Sequence, residues 1–313
     1  MNHTLPADKS LLRTLNTEIP RPQLLLSESL YRKKRRPLDA AVYVLIYLFS
    51  GAVAAMVLYF VYFILHRGLG GISWDFLMSA PNPIEKTIGI LPSIIHTLYI
   101  VLLALLIAVP VGVGGAVYIC EYAKNKRLIR IIEFTTETLS GIPSIIFGIF
   151  GYVFFCIFLG WKISLLSGAF TLTLIVLPTI IRTSSEALKS VPRSYREAAM
   201  GIGSTKWYMI RTVILPNASR GILTAVILAT GRIIGESAAL ILVAGGSGMY
   251  LPRGNFIEQI MSGGSTLSVE LYIYAYNRGQ NDTGFSIAIV LLALAIVMNI
   301  AVKWVNRHIE RTA

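Results

Sequence analysis

Six separate runs of apolar residues, each long enough to cross a bilayer as a helix, constrain what this chain can fold into. A hydrocarbon core about 30 Å thick needs roughly 20 helical residues, and runs of that kind cover about 40–65, 92–119, 139–160, 163–181, 218–244 and 284–302. The whole 313-residue chain is 55% hydrophobic and 14% charged, with a mean hydropathy of +0.67. Backbone groups in lipid must bond within their own segment. The expected fold is therefore an all-α membrane bundle of six transmembrane helices.

Basic residues orient that bundle. With the N-terminus inside, eight Lys and Arg fall in the N-terminal tail, four in 120–138, seven in 182–220 and three after 302. The other side would hold five, Arg67, Lys86, Lys162, Arg253 and Arg278. The positive-inside rule then puts both termini in the cytoplasm. The polar start ends in "RKKRRP" with no small-residue cleavage site after a short hydrophobic region, so no cleaved signal peptide is expected. A net charge of +12 suits loops beside anionic lipid and needs no nucleic acid. Cys120 and Cys156 fall toward opposite membrane faces, beyond disulfide reach.

The expected organisation is a cytoplasmic tail over 1–38, a first helix over 39–65, an extracytoplasmic loop over 66–91, a transmembrane core over 92–302 and a cytoplasmic C-terminus over 303–313. Pro110, Pro143 and Pro178 sit within or near the ends of spans, beside glycines, where they permit kinks and close packing. In the long outer loop 245–283, "TLSVELYIYAY" is too short to span. It can lie at the interface, line the mouth of a pathway or touch an external partner.

The cytoplasmic loop over 182–217 has more pattern. Pro192 can open a short helix over 192–200, with Ser194 three residues before Glu197 in capping-box spacing. Gly201 and Gly203 stop it, Ser204 or Thr205 caps a second helix, and Pro216 ends that one. Ala198 and Ala199 then offer a flat face between charged flanks, suited to a groove on another protein. The string Glu197-Ala198-Ala199, Gly203, Val213-Ile214-Leu215-Pro216 resembles the EAA loop of permease subunits of binding-protein-dependent ABC importers. That resemblance implies a MetI-like permease fold and a coupling helix over 192–205 that docks on an ATPase subunit, with Glu197, Ala198, Ala199, Gly203, Leu215 and Pro216 as the motif. No G-x-x-x-x-G-K-[ST] occurs in the sequence, so ATP binding falls to another subunit.

Within the fifth run, "GRIIGESAAL" puts Arg232 and Glu236 one helical turn apart in apolar surroundings. Counting from Gly221 places Arg232 roughly 16 Å into the membrane. A charge there costs on the order of 2.5–3.5 kcal/mol, so neither residue is expected to face lipid. Two readings stand: an ion pair that locks helices, or a substrate route in which the guanidinium forks onto an oxyanion. A carboxylate beside it can accept the O–H of a protonated phosphate and repel fully ionised sulfate. Thr230 and Ser237 flank the pair and can reach substrate oxygens or bond their own helix. Arg182 is a candidate inner gate or headgroup anchor, and His96 a packed histidine.

"GRIIGESAAL" together with "LSGIPSIIFGIFGYVFF", "VLPTIIRTSSEALKSVPRSYREAAMGIGSTKW" and "HTLYIVLLALLIAVPVGVGGAVYICEYA" closely resembles the PstA-type permeases of phosphate importers, over about 91–302. The resemblance implies a PstC-type permease partner, a PstB-type ATPase homodimer, a PstS-type phosphate-binding protein and a place in the inner membrane, with phosphate the cargo of an alternating-access cycle. No cofactor is expected on this chain, ATP and Mg being held by the partner ATPase. An intramembrane enzyme is disfavoured because H-E-x-x-H and G-x-S-x-G are absent and the four histidines make no metal-ligand spacing. A passive channel would not need a docking loop. A permease for sulfate or molybdate is the alternative within the transporter class; the Arg suits it and the adjoining Glu does not.

Overall fold

The computed structural model describes residues 37–82, 87–246 and 255–312. Expectations for the tail over 1–36, and for Lys86 and Arg253, lie outside these. Among the described residues the fold is helical, and the one isolated β-bridge joins Asn82 and Thr87. The chain divides into two units, residues 1–60 and 61–313. In the first, α1 (Pro37–Gly68) is exposed at every position from 41 to 60.

The second unit continues through α2 (Trp74–Met78) and α3 (Leu91–Val117), the latter extended by a π turn over Tyr118–Tyr122. Next come α4 (Lys126–Ser140), α5 (Ser144–Gly151) with a π stretch over Tyr152–Phe158, and α6 (Leu165–Ser190). Then follow α7 (Arg193–Gly201) and α8 (Lys206–Met209), which runs through a π stretch over Ile210–Ile214 into α9 (Leu215–Gly235). The chain closes with α10 (Ala238–Val243), α11 (Phe256–Ile260), α12 (Leu267–Tyr272) and α13 (Asn281–Thr312).

Among the described residues five helices are long and apolar enough to cross a membrane, and α4 with the α5 segment, bent by 101°, makes up to a sixth when the pair is taken as one span. The number matches expectation, but two spans differ in build. The third starts at Lys126 rather than near 139, because Gly141, Ile142 and Pro143 interrupt a longer helical path; a proline cannot donate the N–H that would continue it. The fifth starts at Lys206, not 218. Pro216 does not end that helix: the π stretch precedes it, it sits in the first turn of α9 where a proline is tolerated, and Asn217 Nδ2 donates to Val213 O at 2.7 Å beside it. The same helix then stops at Gly235, nine residues short of the expected end at 244, and α10 covers Ala238–Val243 beyond the break.

The core is built on α3, α6 and α9. Ala104, Ala108, Leu172, Val176 and Ala229 are fully buried there; small residues let the backbones approach where water supplies no drive for helices to associate. One approach is especially close. A Cβ on Gly148 would lie 2.8 Å from the Cα of Ala239, so α5 and α10 touch backbone to backbone. The far end of the bundle from α7 is tied by backbone bonds, Ser164 N to Val243 O at 3.0 Å, Leu165 N to Ser262 O at 3.0 Å and Gly264 N to Ala244 O at 2.8 Å.

Because the obstacle at Gly148 is backbone, which cannot rotate away, Gly148→Val should destabilise by about 1–3 kcal/mol or more. The expected outcome is a lower melting temperature of the purified protein in detergent, with the conservative Gly148→Ala intermediate.

Candidate functional site

The fifth span is interrupted at the two charges. Glu236 is extended (φ −79°, ψ 122°) and closes α9 through its N–H to Ile233 O, while Ser237 (φ −120°, ψ −41°) opens α10. Arg232 and Glu236 are therefore not an i, i+4 pair on one helix, and among the described residues no ion pair joins them. The reason lies in helix ends. A helix that stops leaves carbonyls unsatisfied at its C-terminus and N–H groups at the start of the next, with partial charges of opposite sign. Arg232 occupies the last turn of α9. Glu236 Oε1 accepts from Ala239 N at 3.2 Å, at the start of α10.

Each charge thus sits at the helix end of complementary sign, which lowers the cost of holding it at this depth. Arg232 is exposed on this chain while Ile233 and Ile234 are buried. Around it, added Cβ atoms on Gly231 and Gly235 would meet open space. Thr224, Leu228, Gly231, Arg232 and Gly235 form one outward face of α9. Glu236 is half-buried, and its Oε2 has no partner within the chain among the described residues.

Two flanking hydroxyls behave differently. Thr230 is fully buried and donates to Val226 O at 2.7 Å, so it bonds its own helix and does not reach the open face. Ser237 is half-buried, and its side chain makes no cap bond. Sequence reasoning missed Ser268: its Oγ donates to Glu236 O at 2.7 Å, satisfying a carbonyl that the helix break leaves free. Thr97 Oγ1 accepts from Leu267 N at 3.0 Å. These bonds draw "TLSVELY" into the bundle, where Leu267, Ser268, Val269 and Glu270 are buried. Its first turn packs inside the bundle next to the break, a placement not among the three expected for that segment, while Tyr276 stays exposed. His96 is packed as expected, 3% exposed, with Gly264 against its ring.

Arg182 is not brought to this site. It lies exposed near the other end of α6 and pairs with Glu186 at 3.3 Å, beside a cleft of about 230 Å³ that Glu133, Glu137 and Lys189 also line. Lys189 Nζ meets Glu133 at 3.0 Å there.

The loop motif folds as helix, turn and helix. Pro192 is the N-cap of α7 and no side chain caps it, so the Ser194/Glu197 capping box does not form; a proline fixes the entry conformation and Ser194 already lies in the helix. Gly203 takes φ +81°, the left-handed conformation that favours glycine, and Thr205 Oγ1 accepts from Tyr208 N at 3.3 Å to open α8. Glu197 and Ala198 are exposed, but Ala199 is 8% exposed and packs inward with Val191, Met209 and Ile210. The two alanines therefore do not share a flat outer face, because adjacent helical residues point about 100° apart. Leu215 is half-buried and Pro216 exposed.

A bundle of membrane-crossing helices, one of them broken at a charged site, with a helical knob at one end, defines a multi-pass membrane transport subunit. Residues 108–312 match the family described as "Binding-protein-dependent transport system inner membrane component", and the chain belongs to that family. It is 32% identical to the probable ABC transporter permease protein YqgI of Bacillus subtilis, over 84% of this chain and 92% of that one. It is 36% identical to the phosphate transport system permease protein PstA of Xylella fastidiosa, over 64% of this chain and 69% of that one. With PstA of Haemophilus influenzae it shares 34% identity, over 77% and 84%.

Among solved structures, a bacterial ABC transporter involved in the import of alginate aligns with a TM-score of 0.58 at 15% identity, over 88% of this chain and 99% of that one. The inward facing MetNI methionine ABC transporter aligns at 0.52 and 24%, over 72% and 94%. These likenesses carry the fold. The chain is thus a permease subunit of an ABC importer of the inner membrane, a class that works with an ATPase and a binding protein.

Replacing Ser268 by Ala should leave the Glu236 carbonyl unsatisfied at a cost of about 1–3 kcal/mol. Hydrogen exchange of 262–277 should accelerate while that of α3 and α6 stays unchanged; uniform acceleration, or none, would count against a local role.

Proposed function

We propose that the chain carries inorganic phosphate inward as the PstA-type permease of its importer. The observation that carries this reading is Arg232, held in the last turn of a helix that ends within the membrane and open on the side facing away from its own chain. A guanidinium cannot face lipid cheaply. It is always charged, and its fork matches two oxygens of a tetrahedral oxyanion. Discontinuous helices recur at substrate sites of membrane transporters because their ends supply polar groups where lipid-facing backbone cannot. The PstA relatives support phosphate as the anion. Glu236 supports it on chemical grounds: Oε1 is engaged by the α10 backbone, and the free Oε2 can accept the O–H that phosphate retains at neutral pH and sulfate lacks.

The partners are then a PstC-type permease against the open face of α9, a PstB-type ATPase homodimer against α7, and a PstS-type binding protein delivering phosphate on the outer side. ATP and Mg reside on the ATPase, and this chain binds no cofactor. Both termini lie in the cytoplasm, on the side rich in Lys and Arg. Closure of the ATPase pair pulls α7 and its counterpart together and opens the cavity outward; hydrolysis returns it inward. Within the motif, Glu197 and Ala198 make the contact, while Ala199, Gly203, Leu215 and Pro216 shape the knob. Arg182 serves as an inner-face anchor, paired with Glu186.

The test is ATP-dependent uptake of labelled phosphate by vesicles holding the reconstituted complex, with sulfate as competitor. Arg232→Gln should reduce uptake by about a hundredfold, the scale of losing one charge-assisted contact of 2–3 kcal/mol, while the complex assembles and hydrolyses ATP. Normal uptake by the variant would make Arg232 structural, and a native complex that ignores phosphate would remove the substrate assignment. Glu236→Gln should weaken the rejection of sulfate more than it slows phosphate; equal loss of both defeats the selectivity argument. Ala198→Arg, on the exposed face of α7, should abolish co-purification of the ATPase.

A further inference from the structure

Arg196, one residue before the EAA string, makes more polar contacts than its neighbours on α7. Nε and Nη2 both donate to Glu121 Oε1, at 3.0 and 2.8 Å. Nη1 donates to Val191 O at 2.7 Å and Nη2 to Leu188 O at 2.9 Å. Glu121 belongs to the π turn that ends α3, and its side chain is 6% exposed against 21% for Arg196. Leu188 lies in the last turn of α6, and Val191 caps it. One guanidinium therefore joins α7 to the ends of two core helices.

We infer that Arg196 is the positioning residue through which displacement of α7 is passed to α3 and α6. The inference rests on the reading of α7 as the ATPase-docking helix. Arg193, Ser194, Tyr195, Glu197, Ala198 and Met200 are all exposed, so, besides the chain link to α6 through Val191 and Pro192, α7 holds to the membrane body through Arg196 and Ala199. The Ala199 contact is apolar and non-directional, and such a surface slides. The Arg196 contact does not: its planar fork fixes both distance and orientation. Separating the pair would also leave a buried carboxylate unpaired, which is costly. A load on α7 therefore moves the ends of α3 and α6 with it. Beyond Glu121, α3 runs 24 residues back to Thr97, about 36 Å at the helical rise, where it holds the α12 hairpin that caps Glu236.

Cys120, half-buried next to Glu121, reports the movement directly, since it and Cys156 are the only thiols of the chain. In a Cys156→Ser background, the reconstituted complex is treated with a maleimide, nucleotide-free and trapped with ATP and vanadate, and modification of this chain is followed by mass spectrometry. The native pair should give rates differing at least about fivefold between the two states, the low end of measured coupling between sites. In Arg196→Gln, and independently in the near-isosteric Glu121→Gln, that difference should collapse below about twofold with the ATPase still bound.

A purely structural role predicts something else: rates shifted equally in both states, leaving the ratio native. That result overturns the inference, as does a native complex with no nucleotide dependence, or two variants that yield no assembled complex. The docking reading fails separately, by Ala198→Arg retaining the ATPase, whatever Arg196 does.

Discussion

A helix that stops within hydrocarbon exposes carbonyls at one end and N–H groups at the start of whatever follows, and lipid can satisfy neither. The fifth span of this chain stops at Gly235 and restarts at Ala238. Its architecture depends on how that gap is filled. Arg232 places positive charge at the carbonyl end, the Glu236 carboxylate accepts from Ala239 N, and Ser268 reaches in from the outer hairpin to the Glu236 carbonyl. The outer segment packs into the bundle here, and its own backbone groups are met in turn by Thr97, Leu165 and Ala244.

The same gap explains why two opposite charges sit so close in sequence without pairing. Had the helix continued, Arg232 and Glu236 would neutralise one another and present little to an anion. Because it breaks, the carboxylate turns to the α10 backbone and the guanidinium is left open on the outer face. An arginine paid for by helix carbonyls can still bind a passing oxyanion, since its fork retains donors that those partial charges do not occupy.

Much of this was legible in the residues. Span number follows from apolar length, the helix–turn–helix knob from Pro192, Gly203 and Thr205, and the charged site from "GRIIGESAAL". What sequence pattern could not give was continuity. Gly235, Glu236 and Ser237 carry no proline, and each is tolerated inside a membrane helix, so an 18-residue apolar window reads straight through the break. Pro216 misleads in the opposite direction: it looks like a stop, but a preceding π stretch and the Asn217 amide carry the helix past it. Ser268 was invisible because its partner is a backbone carbonyl 32 residues away, and hydroxyls in loops are common. Arg196 had one available signal. Arg196, just before the motif, lies three residues from Ala199 on the same inward side of the helix, and Glu121 is an isolated carboxylate at the end of an apolar span; their meeting, however, depends on a tertiary contact across 75 residues.

The two charged constellations differ in the physics of what each must do. On the proposed reading the site at the helix break binds and releases, which suits a charge stabilised by helix ends and without a counter-ion among the described residues. The site under α7, as inferred, carries load without letting go, which suits a buried carboxylate against a guanidinium that makes four hydrogen bonds, to Glu121 Oε1, Leu188 O and Val191 O. An arginine left open can meet a ligand, and an arginine held on three acceptors moves with its neighbours. The helix α3 connects them, ending in Glu121 on one side and holding the hairpin through Thr97 on the other. A conformational change that tilted α3 would alter both sites at once, which is the minimum an importer needs if events at the ATPase are to change access to its cargo.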